Sequence, residues 1–180
     1  MIKKLLALIL LFFYVLAADV ESGGKLLREE AAMDVKRYLI DIRIDPYKKT
    51  IIGKVDIEFE LLEKTDRLII DLLKRYSVSG ASINGTHLSF KKKEHKIYIE
   101  NPGLKLFKNY VLSIKYGGKP PVAKNPPWDG GVTWSKDSKG FDWIGVSCQT
   151  NGAHIWFPCK EHPSDKVNSA EIILTVPEQL

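Results

Sequence analysis

The sequence has few of the residues that build disulfide or metal-bound frameworks: its 180 residues include two cysteines and four histidines. Two cysteines exclude a disulfide scaffold, which in a small domain needs several bridges. No two histidines are separated by the three or four residues that place two imidazoles on one helical face, and His-Glu-x-x-His is absent. We therefore expect no catalytic centre and no metal site in this segment. The histidines are His87, His95, His154 and His162.

An excess of charge of one sign is also lacking. Lysine and arginine total 27 against 22 aspartate and glutamate, a formal net charge of +5 that is scattered along the chain. Nucleic-acid-binding domains usually concentrate basic residues on one face, so we expect no nucleic-acid partner. Hydrophobic residues make up 44% and charged residues 27%, which is typical of one globular domain rather than of a disordered chain.

The N-terminus carries an uninterrupted apolar run over residues 5–16, preceded by Lys3 and Lys4 and followed by the small residues Ala17 and Ala18. This order is typical of a secretory signal peptide, and the run is shorter than the ~20 residues that a spanning helix needs. We therefore predict an exported protein, periplasmic or secreted, with no stable membrane span.

The predicted organisation has three parts. Residues 1–18 form the signal peptide, residues 19–32 a polar leader with a turn or two of helix near its end, and residues 33–180 one β-sandwich domain.

The domain is predicted to be all-β because apolar and polar residues alternate with a period of two and no long helical periodicity follows Ala32. The alternation is clearest over residues 38–45 and 54–61, which should form an antiparallel pair. Together the strand signals predict an antiparallel β-sandwich for the body of the chain. Further strands are expected at residues 67–72, 96–99, 110–116, 143–148, 154–157 and 170–176.

Turns are expected between these strands, the first of them at Asp45-Pro46 with Lys48-Lys49. Asn84-Gly85 is a strong hairpin signal, which we favour over the glycosylation sequon that ends at Thr86. The lysine run 91–93 is interpreted as a solvated turn. Asn151-Gly152 is interpreted as the tip of a hairpin that joins the strands at 143–148 and 154–157.

On that hairpin Cys148 and Cys159 would not face each other, which disfavours a disulfide. A cysteine nucleophile paired with His154 or His162 is conceivable, but nothing in the spacing demands it, and we interpret both cysteines as buried small hydrophobic residues. The polar residues 147–152 either form an ordinary turn or offer amide oxygens to a charged donor.

All four tryptophans lie in the last third of the chain, and we expect at least two of them to fill the core. They are Trp128, Trp134, Trp143 and Trp156.

Two segments in this last third, residues 127–137 and 143–149, resemble the N-terminal domain of zinc aminopeptidases of the aminopeptidase N type. The stronger match is at residues 152–166, which resemble the family's Phe-Pro-Cys, acidic residue, Pro and Lys signature. The resemblance implies a saddle-like β domain that packs against a thermolysin-like catalytic domain and closes one side of its cleft. Zinc would then be held by that catalytic domain, outside this sequence.

The resemblance also assigns a role to Gln149, ten residues before Cys159. At this position the family helps to hold the free α-amino group of a peptide substrate. Glutamate is usual there, and glutamine resembles the leukotriene-hydrolase-like branch. His154 is a second departure, since arginine is common in the family motif.

These observations leave two functions open. The first is the substrate-facing N-terminal domain of an exported zinc aminopeptidase, whose partners are peptide N-termini and its own catalytic domain. The alternative is a non-enzymatic β-sandwich module in which Trp128, Trp134 and Trp156 stack on a peptide or glycan. The first also predicts an apolar face, normally covered by the catalytic domain.

Overall fold

The computed structural model describes residues 24–149, 151–178 and 180, so the predicted signal peptide and residues 19–23 of the leader lie outside the described residues. One short helix, α1 (Arg28–Ala31), precedes the strands. The strands are β1 (Met33–Asp45), β2 (Thr50–Leu61), β3 (Arg67–Asp71), β4 (Tyr76–Ile83), β5 (Thr86–His87), β6 (Phe90–Lys93), β7 (Lys96–Glu100), β8 (Asn109–Gly118), β9 (Gly131–Lys136), β10 (Asp142–Ser147) and β11 (Ser169–Thr175).

The largest layer is a six-stranded sheet in the order β11-β1-β2-β8-β4-β5. As predicted, β1 and β2 are antiparallel neighbours, with Ile40 opposite Val55 in the register. The predicted period of two is visible in the burial of β2, where Ile57 and Phe59 are fully buried and the residues between them are not. The apolar face of each long strand therefore turns towards the core.

A second, three-stranded sheet has the order β3-β7-β6. Its inward residues Leu68, Ile70, Ile97 and Ile99 belong to the same hydrophobic core as Ile57 and Phe59 of the large sheet, which confirms the predicted all-β domain. Each such side chain contributes about 1.5–3 kcal/mol when fully buried.

The third sheet pairs β9 with β10 and carries Trp134, which packs against the core. This hairpin leads directly to Gln149, so it positions the predicted site residue. Among the residues that the structure describes, no helix has the length and apolar character needed to cross a membrane.

Asn84-Gly85 forms the expected hairpin between β4 and β5. Both residues have positive φ, 47° at Asn84 and 85° at Gly85, which is the conformation that asparagine and glycine accept most readily in a two-residue turn. The predicted turn is confirmed. The turn of helix expected near the end of the leader is α1, and its Glu30 is buried together with Ala32.

Three details of the sequence interpretation are wrong. The lysine run 91–93 lies in β6 rather than in a turn. Since β6 is an edge strand whose alternate residues are exposed, it accommodates charged side chains. β11 pairs with β1 in parallel, so the sheet is not purely antiparallel.

The third correction concerns the segment after Asn151. Residues 154–157 do not form a strand: the chain makes a 3-10 turn at Ala153–Ile155, and β10 pairs with β9 instead. The N–H groups of Ala153 and His154 donate to a side-chain carboxylate and those of Trp156 and Phe157 to the Ala153 carbonyl oxygen, so these groups are satisfied without a neighbouring strand.

Candidate functional site

Gln149 lies just beyond the end of β10 and is an exposed residue. It belongs to the tip, which we define as the described residues Cys148, Gln149, Asn151 and Gly152. The Gly152 N–H donates to the carbonyl oxygen of Cys148 at 2.8 Å, which closes the tip into a turn. The Asn151 side-chain oxygen accepts from the Gly130 N–H at 2.9 Å. Hydrogen bonds therefore hold the tip on both sides, so the exposed residue Gln149 has a defined position.

A partly buried carboxylate, that of Glu161, lies beside the residues that follow the tip; its side chain is 12% exposed. Its Oε1 accepts from the Ala153 N–H at 3.1 Å, and its Oε2 accepts from the His154 N–H at 2.8 Å. The thiol of Cys159 donates to Oε2 at 3.3 Å, and His154 Nδ1 is 3.2 Å from the same oxygen. Gly152, with φ of 80°, passes so close that a Cβ there would overlap the carboxylate.

The surroundings of Glu161 favour its charged form. Burial by itself would raise the pKa of this carboxyl, but the hydrogen bonds from the His154 ring, the His154 backbone and the Cys159 thiol outweigh it and lower the pKa. Glu161 is therefore an anion at neutral pH that binds the backbone leaving the tip.

Glu161 is in turn fixed to the core through Asp71, the last residue of β3. The Glu161 N–H donates to Asp71 Oδ2 at 3.2 Å. Asp71 and Cys159 form an antiparallel bridge, with N–H to O distances of 2.8 and 3.0 Å. Lys96 Nζ reaches both Asp71 Oδ1 and Glu30 Oε1 at 2.5 Å. Burial raises the pKa of Asp71 against the opposing effect of Lys96.

The histidines do not assemble into a metal site. The rings of His95 and His154 meet edge to face with centroids 6.0 Å apart, while His162 Nδ1 lies 2.7 Å from the hydroxyl oxygen of Ser164. His87 is exposed on β5. Within residues 24–149, 151–178 and 180, no group of three or more His, Cys, Asp or Glu could hold a metal ion.

Both cysteines are free thiols, Cys148 half-buried and Cys159 buried. Burial raises the pKa of each thiol. A protonated thiol is a poor nucleophile, and the anionic carboxylate to which Cys159 donates raises the pKa of this thiol further. The structure therefore argues against the Cys–His nucleophile that the sequence left open.

The tryptophans divide into two pairs. Trp134 and Trp156 pack against the core, as expected for at least two of the four. Trp128 and Trp143 are 63% and 55% exposed. The three rings proposed to stack on a ligand thus include two that serve in packing, and the alternative of a stacking module has no support from this arrangement.

The sequence predicts that Gln149 lies on a polar tip, and in the structure it lies in the same hydrogen-bonded turn as Gly152. The sequence does not indicate the role of Glu161, which lies eight positions after Ala153, one of the residues that it binds. No periodic or local signal links an acidic residue to backbone N–H groups at that distance, so only the folded chain shows the contact.

Comparison with known proteins gives a consistent result. Residues 35–180 match the family model described as the Peptidase M1 N-terminal domain. The M1 zinc metallopeptidase from Deinococcus radiodurans is 26% identical, with a TM-score of 0.66 over 82% of this chain and 33% of that one. Its mutant bound to the substrate Tyr-Ser-Ala is 25% identical, with a TM-score of 0.65 over 81% and 33%.

Native yeast LTA4 hydrolase shares the fold, with a TM-score of 0.67 and 18% identity over 90% of this chain and 27% of that one. The chain thus spans about a third or less of the length of these structures. A comparison with curated protein sequences finds no significant match.

Proposed function

Because this chain belongs to the Peptidase M1 N-terminal domain family, we propose that it is the substrate-facing N-terminal domain of an exported zinc aminopeptidase. In this proposal the complete protein removes N-terminal residues from peptides. A catalytic domain outside residues 1–180 holds the zinc, which supplies the Lewis acid for hydrolysis. This domain supplies no catalytic group; it supplies Gln149 to bind the substrate.

The observation that carries the proposal is the exposed position of Gln149 on a tip held by hydrogen bonds, within a domain of this family. A substrate ammonium donates hydrogen bonds and cannot accept them, so the Gln149 side-chain oxygen is a suitable acceptor for it. A carboxylate at this place would add about 4 kcal/mol of attraction at contact distance for an effective dielectric of 20, before desolvation. Glutamine forgoes this attraction, so the rest of the ammonium's partners belong to the catalytic domain.

A cleft of about 310 Å³ supports the idea that a further part of the protein covers this domain. Its lining is apolar and lies between the large sheet and the β9–β10 hairpin. Ile172 and Leu174 of β11 are 52% and 55% exposed there. Apolar side chains exposed together in this way indicate a surface that another part of a protein covers. The lining includes Ile42, Ile44, Trp134, Ile144, Ile172 and Leu174.

Export is the part of the proposal that rests on sequence alone. It is supported by Lys3 and Lys4, the apolar run 5–16 and the small residues that follow. N-terminal sequencing of the mature protein tests it: a start near Asp19 is expected, and a retained Met1 in the mature protein contradicts it.

The complete gene product tests the activity. It should release the first residue of an unblocked peptide, lose this activity with a chelator and regain it with zinc. The N-acetylated peptide is the matched control, because acetylation removes the ammonium and leaves the rest of the substrate unchanged. Equal rates on both peptides, or a gene that encodes no His-Glu-x-x-His after residue 180, would contradict the proposal.

Residues 1–180 alone provide a second test, of the covered face. We expect this segment to self-associate or precipitate through its apolar cleft. A clean, soluble monomer in size-exclusion chromatography would contradict that expectation.

A further inference from the structure

The tip has to be held by something other than a β-ladder. The pairing of β9 with β10 ends at Ser147, opposite Gly131, two residues before Gln149. Beyond that point the contacts are those of individual groups: Gly152 N–H to Cys148 O, and Gly130 N–H to Asn151 Oδ1. These two bonds close the tip and fix its entry side.

The exit side is fixed by Glu161. Its two carboxylate oxygens bind the consecutive N–H groups of Ala153 and His154, directly after the tip. Charge-assisted hydrogen bonds of this kind are roughly twice as strong as neutral ones. Gly152 leaves room for the carboxylate, since a side chain there would overlap it. The sequence is thus suited to an anion at this place.

The backbone that carries this carboxylate is itself hydrogen-bonded to the core. The Glu161 N–H donates to Asp71, and Cys159 bridges Asp71 through two backbone bonds. Asp71 closes β3 and is bound by Lys96. A continuous path of hydrogen bonds therefore runs from the core sheet through Asp71 and Glu161 to the exit of the tip.

We infer that Glu161 is a positioning residue for substrate binding: it holds the tip so that the amide of Gln149 stays where the substrate ammonium binds. The inference rests on the proposed function for the role of Gln149, but the contact between Glu161 and the tip does not. Glu161 acts through Gln149 and touches no substrate.

Hydrogen exchange of the complete gene product, followed by mass spectrometry, tests the structural half. In Glu161→Gln one oxygen and the charge are lost, and the new NH2 group faces backbone donors. We expect peptides covering residues 147–155 to exchange about tenfold faster, with β2 unchanged. The matched control is Glu58→Gln, which removes a carboxylate from the ion pair with Arg37 on the large sheet and should leave the tip unchanged. Unchanged exchange at the tip, or a uniform increase that includes β2, overturns the inference.

Kinetics of the same protein test the functional half. Glu161→Gln should raise KM for an unblocked peptide about tenfold and change kcat little, because binding rather than chemistry is disturbed. In a Gln149→Ala background it should raise KM no further, since its effect passes through Gln149. Equal increments in both backgrounds overturn the inference. If the tip loosens but Gln149→Ala leaves KM unchanged, Glu161 still holds the tip, whereas the role proposed for Gln149 is rejected.

Discussion

The large sheet and the segment from the tip to Asp165 are held by different forces. In β1, β2 and β8 the backbone satisfies itself in regular ladders, and the apolar residues on one face are buried. Between Cys148 and Asp165 the described residues form no long ladder, and individual contacts hold the backbone instead: the Glu161 carboxylate binds the N–H groups of Ala153 and His154, and the Lys160 N–H donates to the Tyr38 hydroxyl.

The contrast shows how a rigid place is made for one exposed side chain. A β-ladder repeats every two residues, so it does not by itself fix the position of one particular residue at its end. Individual hydrogen bonds to charged groups can hold a short irregular segment in one conformation. Such a segment is sensitive to substitution, because each contact depends on one group. The two regions should therefore respond differently to substitution and to pH.

The largest effect is expected in the sheet. Phe59→Ala removes a fully buried ring and should lower the free energy of opening of the domain by about 3–5 kcal/mol. Hydrogen exchange of the β2 amides in the complete protein measures it. Ile52→Ala on the same strand is the control, because Ile52 is 59% exposed and should change this energy by only about 0.5 kcal/mol. Similar losses from both would contradict the account of the core.

A buried ion pair in the irregular segment comes next. Lys160 Nζ binds Asp165 Oδ2 at 2.7 Å and the Met33 carbonyl oxygen at 2.6 Å, and both side chains are less than a tenth exposed. Lys160→Met strands a buried carboxylate, so we expect a loss of about 3 kcal/mol in the same exchange measurement. In Lys136→Met the pair with Asp142 is more exposed, and the loss should stay below about 1 kcal/mol. Equal losses of free energy in the two variants would contradict the expectation that burial makes the Lys160–Asp165 pair the more costly one to break.

Gly152 gives a smaller and more local effect. Gly152→Ala combines a positive φ with overlap of the Glu161 carboxylate and should weaken protection of the tip by about 2 kcal/mol. Gly140→Ala has a similar φ of 88° but open space around its Cβ, so only the backbone cost of about 1 kcal/mol is expected. Exchange of peptides covering each turn separates the two. A tip that tolerates alanine as well as Gly140 does would contradict the close contact.

The smallest effect is that of pH. The pKa of Glu161 is held below its ordinary value of 4.5, so the charged form stabilises the folded tip above that value. This stabilisation is lost as the pH falls through the lower, folded pKa. Asp71, whose pKa is raised by burial, acts in the opposite direction.

The measurement is therefore the ratio of protection between the tip and β2, compared in wild type and Glu161→Gln. The ratio should fall below about pH 4.5 in the wild type only. The same fall in both proteins would mean that another group is responsible.

The difference between the regions also decides what the sequence can predict. Alternation in β2 and the Asn84-Gly85 turn are local signals, and both give the observed elements. The lysine run of β6 suggests a turn instead of a strand, because charged residues on an edge strand leave the same sequence pattern as charged residues in a turn. The parallel pairing of β11 with β1 joins residues far apart in the chain and leaves no local mark.

The irregular segment escaped prediction for the same reason. Residues 154–157 are apolar enough to suggest a strand, but the His154 N–H donates to the Glu161 carboxylate, and the N–H groups of Trp156 and Phe157 donate to the Ala153 carbonyl oxygen. Gln149 could be placed on a polar tip from its neighbours and from a family resemblance. The group that holds this tip could not be found, because the contact depends on the folded path through Asp71.

The most direct test of the account is the Michaelis constant of the complete protein for an unblocked peptide with Gln149 replaced. Gln149→Ala should raise KM at least about tenfold, since a hydrogen bond to a charged group contributes about 1.5–3 kcal/mol. Gln149→Glu should lower KM below the wild-type value, because a carboxylate attracts the ammonium. We therefore expect KM to shift in opposite directions in the two variants; a KM that neither variant changes would contradict the proposed role of Gln149 in substrate binding.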